Sequence, residues 1–121
     1  MPYVNYIELN VPDSKQAAEF FKKVFGWDAQ GWGESDYMVV DNGDEAGIGA
    51  GIDKMQDGDK ANAVPVITVK SVEAAVKEVE AAGGKIVVPK MAIPGTGYAA
   101  YFTTPGGLLM SVYEADEAAA A

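Results

Sequence analysis

The sequence predicts an α+β fold in which paired βαβββ modules form an antiparallel sheet cup. Three observations carry that expectation. YVNYIELNV at 3–11 alternates with the period of two that marks a half-buried strand, and VPVITV at 64–69 is rich in β-branched residues. Each of these leads into an apolar pattern of helical period, with a capping residue in front and glycine behind. The two halves also follow one plan: the interval from Val11 to Val69 nearly matches that from Gly26 to Gly83, as an internal repeat requires. The division that results is a first module over 1–54, a linker over 55–63, a second module over 64–114 and a disordered tail over 115–121. All lie within one structural domain.

In the first module the opening strand gives way to a helix at PDSKQAAEFFKKVFGW. Asp13 is the N-cap, and Gln16 three residues later completes a capping-box pattern. Ala17, Phe20, Phe21, Val24 and Phe25 recur at helical spacing, and Gly26 supplies the left-handed stop. Shorter strands follow at Ala29–Trp32, Tyr37–Asp41 and Gly47–Ile52, with a turn at Asn42-Gly43. In the second module Ser71 caps a helix whose stripe is Val72, Ala75, Val76 and Val79, and Gly83-Gly84 ends it. KIVVP, YAAYFTT and LLMSVYE are the three strands that complete it.

Strand alternation assigns the faces. Ile7, Leu9, Val11, Ile67, Val69, Met110 and Val112 suit the helix side. Tyr6, Glu8, Val64, Val66, Thr68, Leu109, Ser111 and Tyr113 are expected in the concavity. Aromatics, aliphatics and a few polar groups make up that second set, which is the composition of a ligand pocket.

Composition narrows the chemistry. The chain of 121 residues is 49% hydrophobic, enough for a real core. A net charge of −9 opposes binding to nucleic acid or to anionic membrane surfaces, because both draw affinity from basic residues. The plain reading of that acidity is solubility, and the sharper one is a pocket that attracts cationic small molecules. The start, MPYVNYIELN, has neither a basic nor a long apolar region, so no signal peptide and a cytoplasmic location are expected. With no cysteine, disulfides and thiolate metal sites are excluded. There is no histidine either, so the commonest metal ligand and the usual acid or base near neutral pH are both missing.

Single residues add to the candidate site. Glu8, beside Tyr6 on the inferred concave face, suits a general base, a single metal ligand or the counter-charge to a cationic ligand, or else it simply bonds Thr68 or Tyr113 or lies at the wet mouth of the cup. Its burial without a partner would be costly. Trp32, between Gly31 and Gly33, is placed to stack on a planar or cationic ligand, whereas Trp27 suits packing behind the helix stop. Tyr37, Tyr98 and Tyr101 are added as ligand-binding residues, with the strand phase of Tyr101 left open. GTGYAAY at 95–101 lacks a following helix and so is not a phosphate loop.

YIELNVPDSKQAAEFFKKVFGW and VKSVEAAVKEVEAAGGKIVVPKMAIPGTGYAAYFTTPGG together resemble the vicinal oxygen chelate superfamily, which includes glyoxalase I, extradiol dioxygenases and bleomycin-resistance proteins. The resemblance covers nearly the whole chain and implies paired βαβββ modules, often in a homodimer. It also implies a divalent metal held by strands of both modules. Here the implied ligand positions fall on Tyr6, Val64, Ser111 and a glycine of GIGAGI near Gly49 or Gly51. That set suits no divalent ion, so no metal and no cofactor are expected. The reading that follows is a small-molecule-binding protein rather than an enzyme, sequestering a cationic or aromatic compound such as an antibiotic. The alternative is a lyase or isomerase with Glu8 as general base.

Overall fold

The computed structural model describes residues 2–31, 35–41 and 47–120. Trp32 and the expected turn at Asn42-Gly43 lie outside the described residues. In chain order the elements are β1 (Tyr3–Val11), α1 (Ser14–Phe25), β2 (Asp28–Gly31), β3 (Met38–Asp41), β4 (Gly49–Lys54), β5 (Asn62–Thr68), α2 (Val72–Ala81), β6 (Lys85–Ile93), β7 (Gly97–Thr103) and β8 (Leu109–Ala115). One compact unit is Tyr6–Val64; the other is Pro65–Ala121 with Met1–Asn5.

The first module orders its strands β2-β3-β4-β1. β1 and β4 pair parallel, with Tyr6 opposite Gly49 and Glu8 opposite Gly51, while β3 pairs antiparallel with both β2 and β4. The second module repeats this as β5-β8-β7-β6, with β5 and β8 parallel and the other pairs antiparallel.

Both helices begin as the sequence predicts. Asp13 is extended and its carboxylate accepts the Gln16 N–H at 3.1 Å. Ser71 does the same for the Ala74 N–H at 3.1 Å. Gly26 ends α1 at φ 74°, a left-handed conformation open to glycine at little cost, and its N–H donates to the Lys22 carbonyl. The N-terminus of α2 has a further acceptor, because the Glu114 carboxylate takes the Val72 N–H at 2.9 Å. That carboxylate satisfies one of the donors a helix start leaves unpaired.

Each helix covers one face of its own module's strands. In the first module Ala18, Val40, Ala50 and Ile52 are buried, with Ile7, Leu9, Val11, Phe21 and Trp27 packed around them. In the second the buried set is Val72, Ala100, Phe102 and Val112, against Ile67, Val69, Met110 and the α2 stripe. The expected helix-side residues of every strand are where alternation placed them. The α1 stripe is not. Its inner face is Ser14, Ala17, Ala18 and Phe21, whereas Phe20, Val24 and Phe25 are 59%, 53% and 59% exposed. The apolar arc of α1 is wider than the face its sheet can cover.

Boundaries move by a few residues. β5 begins at Asn62, so the linker is shorter than 55–63. β6 runs on past KIVVP to Ile93 with register shifts on either side of Val88, where Pro89 has no N–H to give the ladder. Residues 115–119 of the expected tail are held by backbone contacts. Ala115 ends β8, the Asp116 N–H donates to the Thr96 carbonyl, and the Ala119 carbonyl accepts the Gly95 N–H. The tail has no apolar stripe, but its backbone groups tie it to the β6–β7 turn and Ala119 is buried. Among the described residues no helix is long and apolar enough to cross a membrane.

Candidate functional site

On the first module's sheet, the face turned from α1 carries Tyr6, Glu8 and Asn10 from β1 and Gly49, Gly51 and Asp53 from β4. β4 lies between β1 and β3. A side chain at Gly51 would separate whatever those neighbours carry. Instead Tyr6 from β1 and Tyr37, just before β3, reach across the glycine and hydrogen-bond hydroxyl to hydroxyl. A Cβ on Gly51 would collide with both phenol oxygens. The alternation of GIGAGI thus has a physical reason. Gly51 leaves room for two phenols on one face, and Ala50 and Ile52 fill the core beneath α1 on the other.

Electrostatics keep Tyr6 protonated. Burial raises its pKa above the ordinary phenol value; the Tyr37 hydrogen bond works in the opposite direction, and the Glu8 charge adds to the rise. Asp53, paired with Asn10 in the β1–β4 register, is also raised. Partial burial is the main cause, the Lys54 N–H opposes it, and nearby Asp36 adds to it. Two carboxylates and two phenols therefore share one region of a sheet.

The second module's corresponding face carries Val66 and Thr68 from β5, Ser111 and Tyr113 from β8, and Ala99 and Tyr101 from β7. Ser111 is only 2% exposed, and its hydroxyl donates to the Ala100 carbonyl at 3.1 Å. The one proton it owns is committed to the backbone. The Tyr113 hydroxyl donates to the Thr96 carbonyl at 3.0 Å, and burial raises its pKa. Val64, in β5, is 1% exposed and offers no donor.

Tyr98 needs a correction. It stands opposite Glu114 in the register that faces Ala100 with Val112, and it packs on the α2-side cluster with the Lys90 ammonium 4.4 Å from its ring centre. Tyr101, three residues later, has the opposite phase and stands opposite Ser111. Of the expected residues, Tyr6, Glu8 and Tyr37 come together in the first module. Thr68, Tyr101, Ser111 and Tyr113 share a face of the second. Trp32 lies outside the described residues. Asp53 and the steric role of Gly51 were missed, although a run of alternating glycines inside a strand is the signal for close approach.

The order of elements and the paired modules are those of a known group. A model of the Glyoxalase/Bleomycin resistance protein/Dioxygenase superfamily matches residues 3–112. This chain belongs to that superfamily. Among curated superfamily relatives, the "Putative glyoxylase CFP32" of Mycobacterium tuberculosis is 27% identical over 121 residues, spanning 93% of this chain and 45% of the relative. The chain therefore spans about half the length of that relative. The Mn(II)-bound glyoxalase of Novosphingobium aromaticivorans superposes with a TM-score of 0.68 at 27% identity, covering 98% of this chain and 40% of that one. Methylmalonyl-CoA epimerase of Mycobacterium tuberculosis shares the fold, with a TM-score of 0.71 at 12% identity over 93% of this chain and 87% of that one.

A manganese-bound neighbour raises the question of fit. Tyr6 is a protonated phenol bonded to Tyr37, Gly51 has no side chain, Val64 is aliphatic, and Ser111 is committed to a carbonyl. Divalent ions of this kind prefer carboxylate or imidazole donors. Among the described residues no three of His, Cys, Asp and Glu gather closely enough to hold a metal. The residues at these positions do not fit a divalent cation.

Proposed function

We propose that this superfamily member is a metal-free small-molecule-binding protein that takes up a cationic, aromatic compound, with antibiotic sequestration as the concrete version. One observation carries the reading: two phenols converge over Gly51, with Glu8 beside them, at a position the family resemblance assigns to a metal ligand. Phenol faces and edges suit an aromatic ligand, and Glu8 with Asp53 supplies the counter-charge. Trp32 is assigned to the same ligand as a stacking residue, and the protein to the cytoplasm as a homodimer.

The test pairs metal analysis of purified protein with thermal-shift screening of cationic aromatic compounds. The expected result is no stoichiometric metal, with binding that weakens by about 2 kcal/mol on Trp32→Ala and also falls on Glu8→Gln. Stoichiometric zinc, nickel, iron or manganese, stripped by a chelator together with an activity, overturns the reading.

Glu8 and Tyr6 side by side on one face of β1 support a second reading, a lyase or isomerase with Glu8 as base and a tyrosine as acid. Turnover of methylglyoxal–thiol adducts that disappears in Glu8→Gln selects it over sequestration.

A further inference from the structure

On the side of the first module that α1 covers, a groove of about 390 Å³ opens between the helix and the strands β2 and β3. It is separate from the Tyr6–Tyr37 site, which lies on the face turned from α1. Its floor is apolar: the Ala18 methyl from the helix, the Trp27 indole, and Ala29 and Met38 from the strands. Its rim is charged. Lys15, Glu19 and Lys22 share a helix face with Ala18, at the spacing of three, four and seven residues, and Asp28 joins them at the start of β2.

Two observations say what the groove suits. The first is Gly31, which ends β2 opposite Met38 and so shares its face of the sheet. Its φ is not positive, and a Cβ there would meet no described atom within 4 Å. Neither backbone conformation nor packing among the described residues calls for glycine; a side chain would only occupy space beside Met38. The second is how the charges pair. Lys22 is held by Asp28. Lys15 and Glu19 stand four apart like Glu73 and Lys77 of α2, yet only the α2 pair closes, at 3.9 Å. Lysine before glutamate is the weaker order, because it opposes the helix dipole. Among the described residues Lys15 and Glu19 make no ion pair, so one ammonium and one carboxylate border an apolar floor uncompensated.

We propose that this groove binds a zwitterion of the α-amino-acid type with a flat apolar side chain. Lys15 takes the carboxylate, Glu19 the ammonium, and Trp27 and Met38 the ring. Residues four apart on a helix have Cβ atoms about 5–6 Å apart, close enough for both heads of one amino acid. The groove's volume is within the range of small-molecule sites. The inference is independent of what the Tyr6–Tyr37 site binds.

NMR titration of the isotope-labelled full chain tests it. The probes are L-phenylalanine, phenethylamine and phenylpropionate, the last two keeping the ring and one charge each. The expected result with phenylalanine is a saturable shift of the Trp27 indole N–H and of the Ala18 and Gly31 amides, while Tyr6 and Gly51 stay unmoved. Each single-charge analogue should bind about threefold more weakly or worse, as the loss of one exposed ion pair implies. Lys15→Gln should erase the preference over phenethylamine, and Glu19→Gln the preference over phenylpropionate. Gly31→Leu, for which there is room, should melt no lower than the parent and bind about tenfold more weakly. Should Gly31→Leu not fold, the two charge variants decide. No phenylalanine shift at these groups, equal affinity for the three compounds, or a folded Gly31→Leu that binds like the parent overturns the proposal.

Discussion

The two modules share one architecture and use it differently. In the second, polar groups are satisfied inside the module: Ser111 on the Ala100 carbonyl, Tyr113 on the Thr96 carbonyl, Glu114 on the start of α2. In the first, two phenols and two carboxylates share one sheet face, and aromatic rings stand in solvent on the helix. One module closes its polar groups with its own backbone and helix start, and the other gathers phenols and carboxylates on one face.

The largest expected effect comes from glycines that resist substitution for different reasons in the two modules. A Cβ on Gly97 would run into the Glu114 carbonyl oxygen, a backbone atom in a paired strand that has nowhere to go. Gly97→Ala should destabilise by about 3 kcal/mol. A Cβ on Gly51 meets only the ends of Tyr6 and Tyr37, which can swing away once their hydrogen bond breaks. Gly51→Ala should cost about 1 kcal/mol, the worth of that bond. Denaturant melts of both variants measure the difference, and a Gly51→Ala cost equal to that of Gly97→Ala would mean the phenols are as fixed as backbone.

The phenol pair gives the next effect. Tyr6→Phe and Tyr37→Phe should each lose about 1 kcal/mol, and the double variant should lose clearly less than the sum, because both remove one bond. The alkaline limb sharpens the contrast. Tyr6 and Tyr113 both have pKa values raised in the folded state, chiefly by burial. A phenol raised on folding stabilises fully below its unfolded value, about 10, and that contribution is lost as pH rises through the folded value. Tyr6→Phe should therefore flatten the alkaline loss of stability, and tyrosinate absorbance should show one late-titrating group fewer. An unchanged limb would show that the Tyr6 phenol is not held apart from solvent.

Much of this was legible in the residues. Alternation placed Ile7, Leu9, Val11 and their second-module counterparts on the helix side, because a buried face leaves a period of two. The opposed phases of Tyr98 and Tyr101 follow from the same period, yet both were expected in the site; residues three apart in a regular strand cannot share a face. The exposure of Phe20 and Val24 was not legible. How much of an apolar helix arc is covered depends on the width of the sheet beneath, and no local pattern encodes that. The Tyr6–Tyr37 contact was hidden for a similar reason: it joins strands separated by β4, and strand order is a property of the whole module.

The smallest effect belongs to Asp53, and its sign separates a face built to attract charge from one that merely tolerates it. Its pKa is raised in the folded state by partial burial and by Asp36, against the pull of the Lys54 N–H. A carboxyl raised in this way stabilises the fold in its neutral form. That contribution is present below the ordinary aspartate value, about 4, and is lost as pH rises through the folded value. At neutral pH the charged form is therefore a mild liability in the empty protein. Asp53→Asn retains an oxygen for the Lys54 N–H and removes the charge, so the melting temperature should rise slightly at neutral pH. The gain should vanish as pH falls below the ordinary aspartate range. If the face serves a cationic ligand, the same variant should bind that ligand more weakly while melting higher, because a charge costly in the empty protein is useful in the complex. A gain that is the same at every pH would show that the substitution acts through packing, and the first module would lose its claim to an electrostatic role.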